Sequence, residues 1–97
     1  MPERQKLTEK LVRAAEPRDD DYQIFDEDLR GFALCVYKSG TRAFTLHYRS
    51  AGRLRRFTIG RWPEWSVTAA RERARLLRRD VDAGIDPQSE REARRAA

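Results

Sequence analysis

The stretch that decides the fold runs from Phe32 to Ile59 and reads FALCVYKSGTRAFTLHYRSAGRLRRFTI. Its large apolar residues recur at every second position, which is the period of a strand with one buried face. Turn-forming residues interrupt this alternation at 39–40 and 50–52, so three strands follow one another as two hairpins. The stretch therefore predicts a three-stranded antiparallel sheet, to which the extended segment 22–26 could add a short fourth strand at the edge.

A helical pattern follows the sheet. Ser66 is a suitable N-cap, and the apolar residues after it are spaced by three or four positions, as on one face of a helix. Gly84 fits the position just past the helix, where a left-handed backbone is needed, and Pro87 prevents continuation. We therefore predict one well-formed C-terminal helix that begins after Ser66 and ends before Gly84.

The two ends of the chain are polar. Leu7 to Ala15 has helical spacing with Thr8 as its N-cap, which predicts a short N-terminal helix. Residues 1–6 are expected to form a frayed start. Residues 88–97 are charged and lack large apolar side chains, so we predict a single domain over residues 1–87 and then the start of a linker.

The apolar side of the predicted helix and one face of the predicted sheet both carry large apolar side chains that must be buried. Packing one on the other gives a two-layer α+β domain with a single small core. Thirteen residues are predicted to form this core: Phe32, Leu34, Val36, Phe44, Leu46, Tyr48, Phe57 and Ile59 from the sheet, and Val67, Ala70, Ala74, Leu77 and Val81 from the helix.

Positive charge is concentrated in the middle of the chain. The net charge is +5, but residues 30–61 carry eight basic and no acidic side chains, whereas both flanking segments are rich in acids. An arginine-rich codon bias could explain the arginines, but it does not explain why the acids are missing. A segment that excludes every carboxylate is typical of a surface that binds a polyanion.

The face of the sheet that the helix does not cover is the candidate binding surface. Arginine can bind phosphate or guanine, threonine and histidine can bind phosphate or base edges, and leucine or tyrosine can contact thymine methyl groups. Residues near turns or strand starts could reach around the rim of this face. The candidate DNA-contacting residues are Tyr37, Arg42, Thr45, His47, Arg49, Arg53, Leu54, Arg55, Arg56 and Thr58, with Cys35 on the same face.

Several other functions lack the residues they need. His47 has no second ligand for a metal site, and Cys35 has no partner for a disulfide. We find no catalytic constellation of carboxylates, Cys/His or Ser/His, no phosphate-binding glycine loop and no metal-ligand spacing, so we expect neither catalysis nor a cofactor. No apolar run reaches the ~18 residues of a membrane span, and the amino terminus lacks the apolar region of a signal peptide, so we expect the reducing cytoplasm.

An ordered set of motifs resembles the arm-type DNA-binding domain of phage and prophage integrases, which are tyrosine recombinases. The motifs are DLRGFALCV (28–36), SGTRAF (39–44), LHYR (46–49), GRLRRFTIG (52–60), Trp62-Pro63, SVTAAR (66–71) and GIDP (84–87). The resemblance implies that the sheet enters the major groove of accessory arm sites in double-stranded DNA. It also implies that core-binding and catalytic domains follow along the same chain. Cys35 stands where the family often has a basic residue, which puts a specific role for this position in doubt.

Two alternatives to duplex binding are considered. The helix or the tail could contact other integrase subunits or an excisionase (a directionality factor), which would make the chain a protein-interaction module. A helix-backed sheet also serves RNA-binding modules, although only Tyr37 is available on the open face to stack on single-stranded bases.

Overall fold

Alternating apolar residues and short turns produce a continuous antiparallel meander in the computed structural model, which describes residues 3–96. The strands β2 (Tyr22–Asp26), β3 (Phe32–Val36), β4 (Arg42–Ser50) and β5 (Arg53–Trp62) lie side by side in chain order. The predicted α+β class and three-stranded meander are confirmed. Segment 22–26 is the additional strand, paired antiparallel with β3.

The prediction of a frayed N-terminal start was wrong. Glu3–Gln5 form a short strand, β1, which pairs in parallel with β2 and takes the edge of the sheet. Glu27 extends the pairing by donating its backbone N–H to the carbonyl of Gln5 at 3.1 Å. Within residues 3–96 the sheet therefore has five strands in mixed orientation, and segment 22–26 is an inner strand of it.

A bulge interrupts the pairing of β4 with β5. Thr45 pairs with Thr58 and Phe44 pairs with Gly60, which leaves Ile59 as an extra residue in β5. The extra residue reverses the alternation of faces beyond it. Arg61, opposite Ala43, consequently lies on the same face as Thr58.

Two of the helices are those that the sequence predicts. The helix α1 spans Glu9–Ala14, and its N-cap Thr8 accepts a hydrogen bond from the backbone of Leu11. The helix α2 spans Val67–Asp82 and is capped in the same way by Ser66. At its end the N–H of Ile85 reaches back to the carbonyl of Asp80 at 2.8 Å around Gly84, whose φ is +88°. This is the C-terminal geometry that glycine favours.

The segment assigned to a linker is helical. The helix α3 spans Pro87–Ala96 and contacts β5 mainly through polar groups. Asp86, just before it, accepts hydrogen bonds from the hydroxyl of Tyr48 and, at 2.9 Å, from Arg55. Arg91 lies over the ring of Phe57, with its guanidinium carbon 3.6 Å from the ring centroid. A helix without large apolar residues is thus held on the sheet. That the domain ends at residue 87 stays a prediction.

The core lies between one face of the sheet and α2, as predicted. Twelve of the thirteen predicted core residues are buried, and Val81 is half-buried against them. Leu7, Val12 and Ile24, from the N-terminal part of the chain, extend this core beyond the predicted set. The large apolar side chains are thus used on one face of the sheet, and the opposite face stays free of a covering layer.

A buried carboxylate ties the N-terminal segment to the rest of the domain. Asp26, at the end of β2, is fully buried and accepts hydrogen bonds from the backbone of Leu7 at 2.9 Å and of Leu29 at 2.8 Å. Arg71 of α2 completes the cluster with a 3.0 Å ion pair to the same carboxylate. Although burial opposes ionisation, these hydrogen bonds lower the pKa of Asp26.

Candidate nucleic-acid interface

The candidate interface is the face of the sheet opposite α2, called here the exposed face. The pairing register places on it alternate residues of each strand. These are Arg4 of β1, Gln23 and Phe25 of β2, Ala33 and Cys35 of β3, Ala43, Thr45, His47 and Arg49 of β4, and Leu54, Arg56, Thr58 and Arg61 of β5. Not one of these side chains is a carboxylate. The nearest acid, Asp21, lies at the edge of the face, where it accepts a hydrogen bond from the backbone of Lys38 at 2.8 Å.

The centre of the exposed face is a floor of small side chains. Ala33, Cys35, Ala43 and Thr45 are all at most 4% exposed. The hydroxyl of Thr45 lies 3.4 Å from the sulfur of Cys35, so both polar atoms have partners within the protein. Burial raises the pKa of the Cys35 thiol, which keeps it protonated at neutral pH. Thr45 was predicted to contact DNA, but the structure places it in this floor, beneath longer neighbours.

His47 stands over one end of the floor. Its Nε2 lies 3.0 Å from the hydroxyl of Thr45, and its ring meets the ring of Phe25 edge-on at 5.0 Å between centroids. Burial, followed by the positive charge of Arg56, lowers the pKa of His47. The imidazole is therefore neutral at pH 7. Because Nε2 is paired with Thr45, Nδ1 is the ring nitrogen left for a ligand, and it can donate to a phosphate or base edge, or accept from a base edge, according to the tautomer.

Most of the exposed cations of this face, and its exposed leucine, lie on β4 and β5, while Arg4 lies on the edge strand β1. Arg49 pairs with Leu54 across the two strands, and Arg56 pairs with His47. Leu54 is 68% exposed and is the most exposed large apolar side chain within residues 3–96. Thr58 and both arginines are exposed as well. A two-stranded ribbon thus presents positive, polar and apolar groups together on one surface.

Tyr37 and Arg53 lie at the margins of this surface. Tyr37 follows β3 and is half-buried beside a cavity of about 510 Å³, which Thr58 and Arg61 also line. Arg53 starts β5 next to the turn, opposite Ser50, and is exposed. Both residues were predicted to contact DNA, and both are accessible to a ligand that covers the ends of the strands.

Arg42 and Arg55 do not lie on the exposed face. The side chain of Arg42 donates two hydrogen bonds to the carbonyl of Ala15, at 2.9 and 2.6 Å. Arg55 forms ion pairs with Asp86 and Glu92, both at 2.9 Å. We expected these arginines to reach around the rim of the exposed face, but the structure shows them bonded within the protein instead. A contact of either residue with DNA would require these internal bonds to break.

Four longer side chains of the exposed face were not predicted as candidates: Arg4, Gln23, Phe25 and Arg61. Arg61 was missed because the alternation along β5 is reversed by the bulge, for which Gly60 was the one available signal. Phe25 was missed because segment 22–26 was not assigned a face. Its pairing with β3 sets that face, since Phe25 lies opposite Ala33.

The described residues offer no other kind of site. Within residues 3–96 no three His, Cys, Asp or Glu side chains are grouped so that they could hold a metal ion. Over the same residues, every helix is too short or too polar to cross a membrane.

Comparison with known proteins assigns the chain to a family. The sequence profile of the arm DNA-binding domain matches residues 7–94. The integrase of Shigella phage Sf6 and the prophage integrase IntS of Escherichia coli K12 are both 35% identical to the chain over 81 residues. Each of these alignments covers 84% of this chain and 20% of the relative. The prophage integrase IntF of E. coli K12 is 38% identical over 86 residues, which is 87% of this chain and 18% of the relative.

The fold and its exposed face define a small α+β module for binding DNA. The chain belongs to the arm DNA-binding domain family, whose matched relatives are integrases of phages and prophages. It spans about a fifth of the length of these relatives. The chain is therefore an arm DNA-binding domain.

Proposed function

We propose that the chain binds double-stranded arm-type sites by placing the β4–β5 ribbon of its exposed face in the major groove. The observation that carries this proposal is the concentration of exposed candidates on two adjacent strands. The major groove of B-DNA is about 12 Å wide and admits a two-stranded ribbon. If the candidate side chains were spread evenly over all five strands, the sheet would be too wide for all of them to enter the groove together.

The chemistry of the ribbon matches the surface of the groove. Arg56, next to the neutral His47, is positioned to read base edges, because a guanidinium binds the two acceptors of guanine through its fork. Leu54 offers an apolar contact to a thymine methyl group. Arg49 and Arg61, nearer the two ends of the ribbon, suit the phosphates at the edges of the groove.

The biological setting follows from the relatives. We infer that the parent protein is a site-specific tyrosine recombinase, which uses this domain on DNA during integration and excision in the bacterial cytoplasm. Other integrase subunits and an excisionase are further candidate partners. Leu76, which is 51% exposed on the outward side of α2, favours that side of the helix for such contacts.

A duplex-selection experiment tests the binding face. Sites are selected from random duplexes with the parent domain, and affinities are then measured by fluorescence anisotropy for Arg56→Gln, Leu54→Ala and the control Arg79→Gln. Arg79 is exposed on α2, away from the ribbon, and its loss removes the same charge. A bidentate base contact is worth about 1–3 kcal/mol, so we expect Arg56→Gln to weaken binding roughly 5- to 150-fold.

The two face variants and the control separate specific from general effects. Leu54→Ala should reduce discrimination at one position of the selected site, whereas Arg79→Gln should leave the preference unchanged. Equal affinities for the parent and for Arg56→Gln would show that the exposed face is not the binding surface. Tighter binding of a single-stranded RNA competitor than of the selected duplex would show that duplex DNA is not the ligand.

A further inference from the structure

A cavity lies at the end of the exposed face where three parts of the chain meet. It has a volume of about 530 Å³ and is bounded by the loop before β3, the β4–β5 hairpin and the last turns of α2. Three arginines from these three elements line it: Arg30, Arg49 and Arg78. We call this the rim cavity. Of the residues that line it, His47, Arg49 and Leu54 were predicted to contact DNA, whereas Arg30 and Arg78 were not.

The position of Arg30 is fixed by the glycine that follows it. The carbonyl of Gly31 accepts a hydrogen bond from the backbone N–H of His47 at 2.8 Å. Gly31 has φ +87°, and a Cβ atom built on it would lie 2.2 Å from the carbonyl oxygen of His47. Only glycine allows this close approach. The loop is therefore held against β4, and Arg30 stays next to His47 and Arg49.

Arg78 comes from the opposite layer of the domain. Its side chain is only 16% exposed, and its Nε lies 3.5 Å from the carboxylate of Asp82 one turn later. Asp82 also lines the cavity and is the one carboxylate that does so. A helix on the far side of the sheet thus contributes a partly buried guanidinium to the edge of the exposed face.

The charges around the rim cavity favour an anion. Arg30 and Arg49 are exposed and have no ion-pair partner within residues 3–96. With three guanidinium groups, one carboxylate and a neutral His47, the net charge around the cavity is +2. Unpaired arginines at a concave, partly dry site bind phosphate oxygens well, since the guanidinium donates in a planar fork.

The ligand follows from the continuity of the rim cavity with the exposed face. His47, Arg49 and Leu54 border both surfaces. A duplex whose major groove holds the β4–β5 ribbon must carry one of its backbones past the end of the ribbon. We propose that the rim cavity binds a backbone phosphate of this duplex through Arg30, Arg49 and Arg78, and so fixes the register of the ribbon along the groove. This inference rests on the proposed function.

The salt dependence of binding tests the rim cavity. Arg30→Gln and Arg78→Gln are compared with the control Arg79→Gln, which removes a charge from the next residue of the same helix. Affinity is measured against salt concentration for the selected duplex and for a random-sequence duplex of equal length. Each neutralised phosphate contributes about 0.9 to the slope of log affinity against log salt, so a rim variant that loses this one phosphate contact should lower the slope by up to about one. The control should keep the slope of the parent.

Two further measurements distinguish the contact from its alternatives. Both rim variants should lose affinity by the same factor on both duplexes, because phosphates carry no sequence information. Asp82→Asn should instead tighten binding to both, since it frees Arg78 from its counter-ion. The alternative is a site for free phosphate. It would be shown by an NMR titration in which inorganic phosphate perturbs Arg30 and Arg78 but the duplex does not, together with duplex salt slopes that are unchanged in the rim variants.

The outcome for the rim cavity is separable from that for the exposed face. If Arg56→Gln weakens duplex binding while Arg30→Gln and Arg78→Gln keep the slope of the parent, the rim cavity is not a phosphate site and the proposed function stands. If Arg56→Gln has no effect, the proposed function fails. A lowered slope in the rim variants would then locate the DNA at α2 and the loop before β3. Arg30 is exposed, so Arg30→Gln keeps the test valid even if Arg78→Gln disturbs folding.

Discussion

Replacing Asp26 by Asn tests how the N-terminal segment is held on the domain. The substitution keeps the size of the side chain but removes the charge that pairs with Arg71, and it weakens the acceptor for the backbone of Leu7 and Leu29. Removal of one member of a buried ion pair costs about 3–5 kcal/mol. We expect a loss near the lower bound, about 3 kcal/mol, because Arg71 is 16% exposed and keeps its hydrogen bond to the carbonyl of Leu7.

Chemical and thermal unfolding at pH 7 measure this loss. For a domain of this size, 1 kcal/mol shifts Tm by roughly 4–8 °C, so Asp26→Asn should lower Tm by more than about 10 °C. The matched control is Glu72→Gln, which removes a carboxylate from the Arg75 ion pair, where both side chains are more than half exposed. This control should cost at most about 1 kcal/mol. If Asp26→Asn costs no more stability than this control, then the buried Asp26 carboxylate does not hold the N-terminal segment on the domain.

The pH dependence identifies the ionised carboxylate as the source of the effect. Burial opposes ionisation, but the hydrogen bonds from Leu7 and Arg71 outweigh it and lower the pKa of Asp26 in the folded state. The contribution is therefore fully present above the unfolded pKa of about 4 and is lost as the pH falls through the folded pKa. The difference between parent and Asp26→Asn should shrink below about pH 4. A constant difference from neutral to acidic pH would show that packing, and not charge, is responsible.

Three further substitutions test the packing of the domain. Leu77→Ala removes a side chain that is 2% exposed, and should cost about 2–5 kcal/mol in thermal denaturation; a melting curve equal to that of the parent would contradict the core. Gly60→Ala places a Cβ 2.3 Å from the indole of Trp65, so it should destabilise by about 1–3 kcal/mol and alter tryptophan fluorescence; unchanged values would show that the indole is free to move. Tyr48→Phe removes the hydrogen bond to Asp86, so amides of α3 should exchange faster while those of β4 and β5 keep their protection; equal exchange in α3 would show that the bond does not hold the helix.

The sequence predicted the meander and α2 because apolar periodicity determines both. The large apolar residues of β3 and β4 lie on one face, as do Phe57 and Ile59 of β5, and Ser66 and Gly84 mark the two ends of α2. β1 and α3 could not be predicted in this way, since neither carries a large apolar residue. β1 is held by backbone pairing with β2, and α3 by the bonds that converge on Asp86.

The candidate site could be predicted only in part. Alternation placed His47, Arg49 and Arg56 on the exposed face correctly. It did not show that Thr45 is covered by its neighbours, because burial on an open face depends on the length of adjacent side chains. The rim cavity was also inaccessible to sequence reasoning, since Arg30 and Arg78 are 48 positions apart and meet only in the folded domain.

The order of the strands has a consequence for how the chain reaches its native state. From β2 to β5, each strand pairs with the next strand in the sequence, so these ladders form by closing short loops at little entropic cost. The parallel pair of β1 with β2 requires α1 to cross between them and is the one strand pairing in residues 3–96 that is not a hairpin. The meander should therefore assemble first, with residues 3–15 joining it late and detaching before it when the molecule opens.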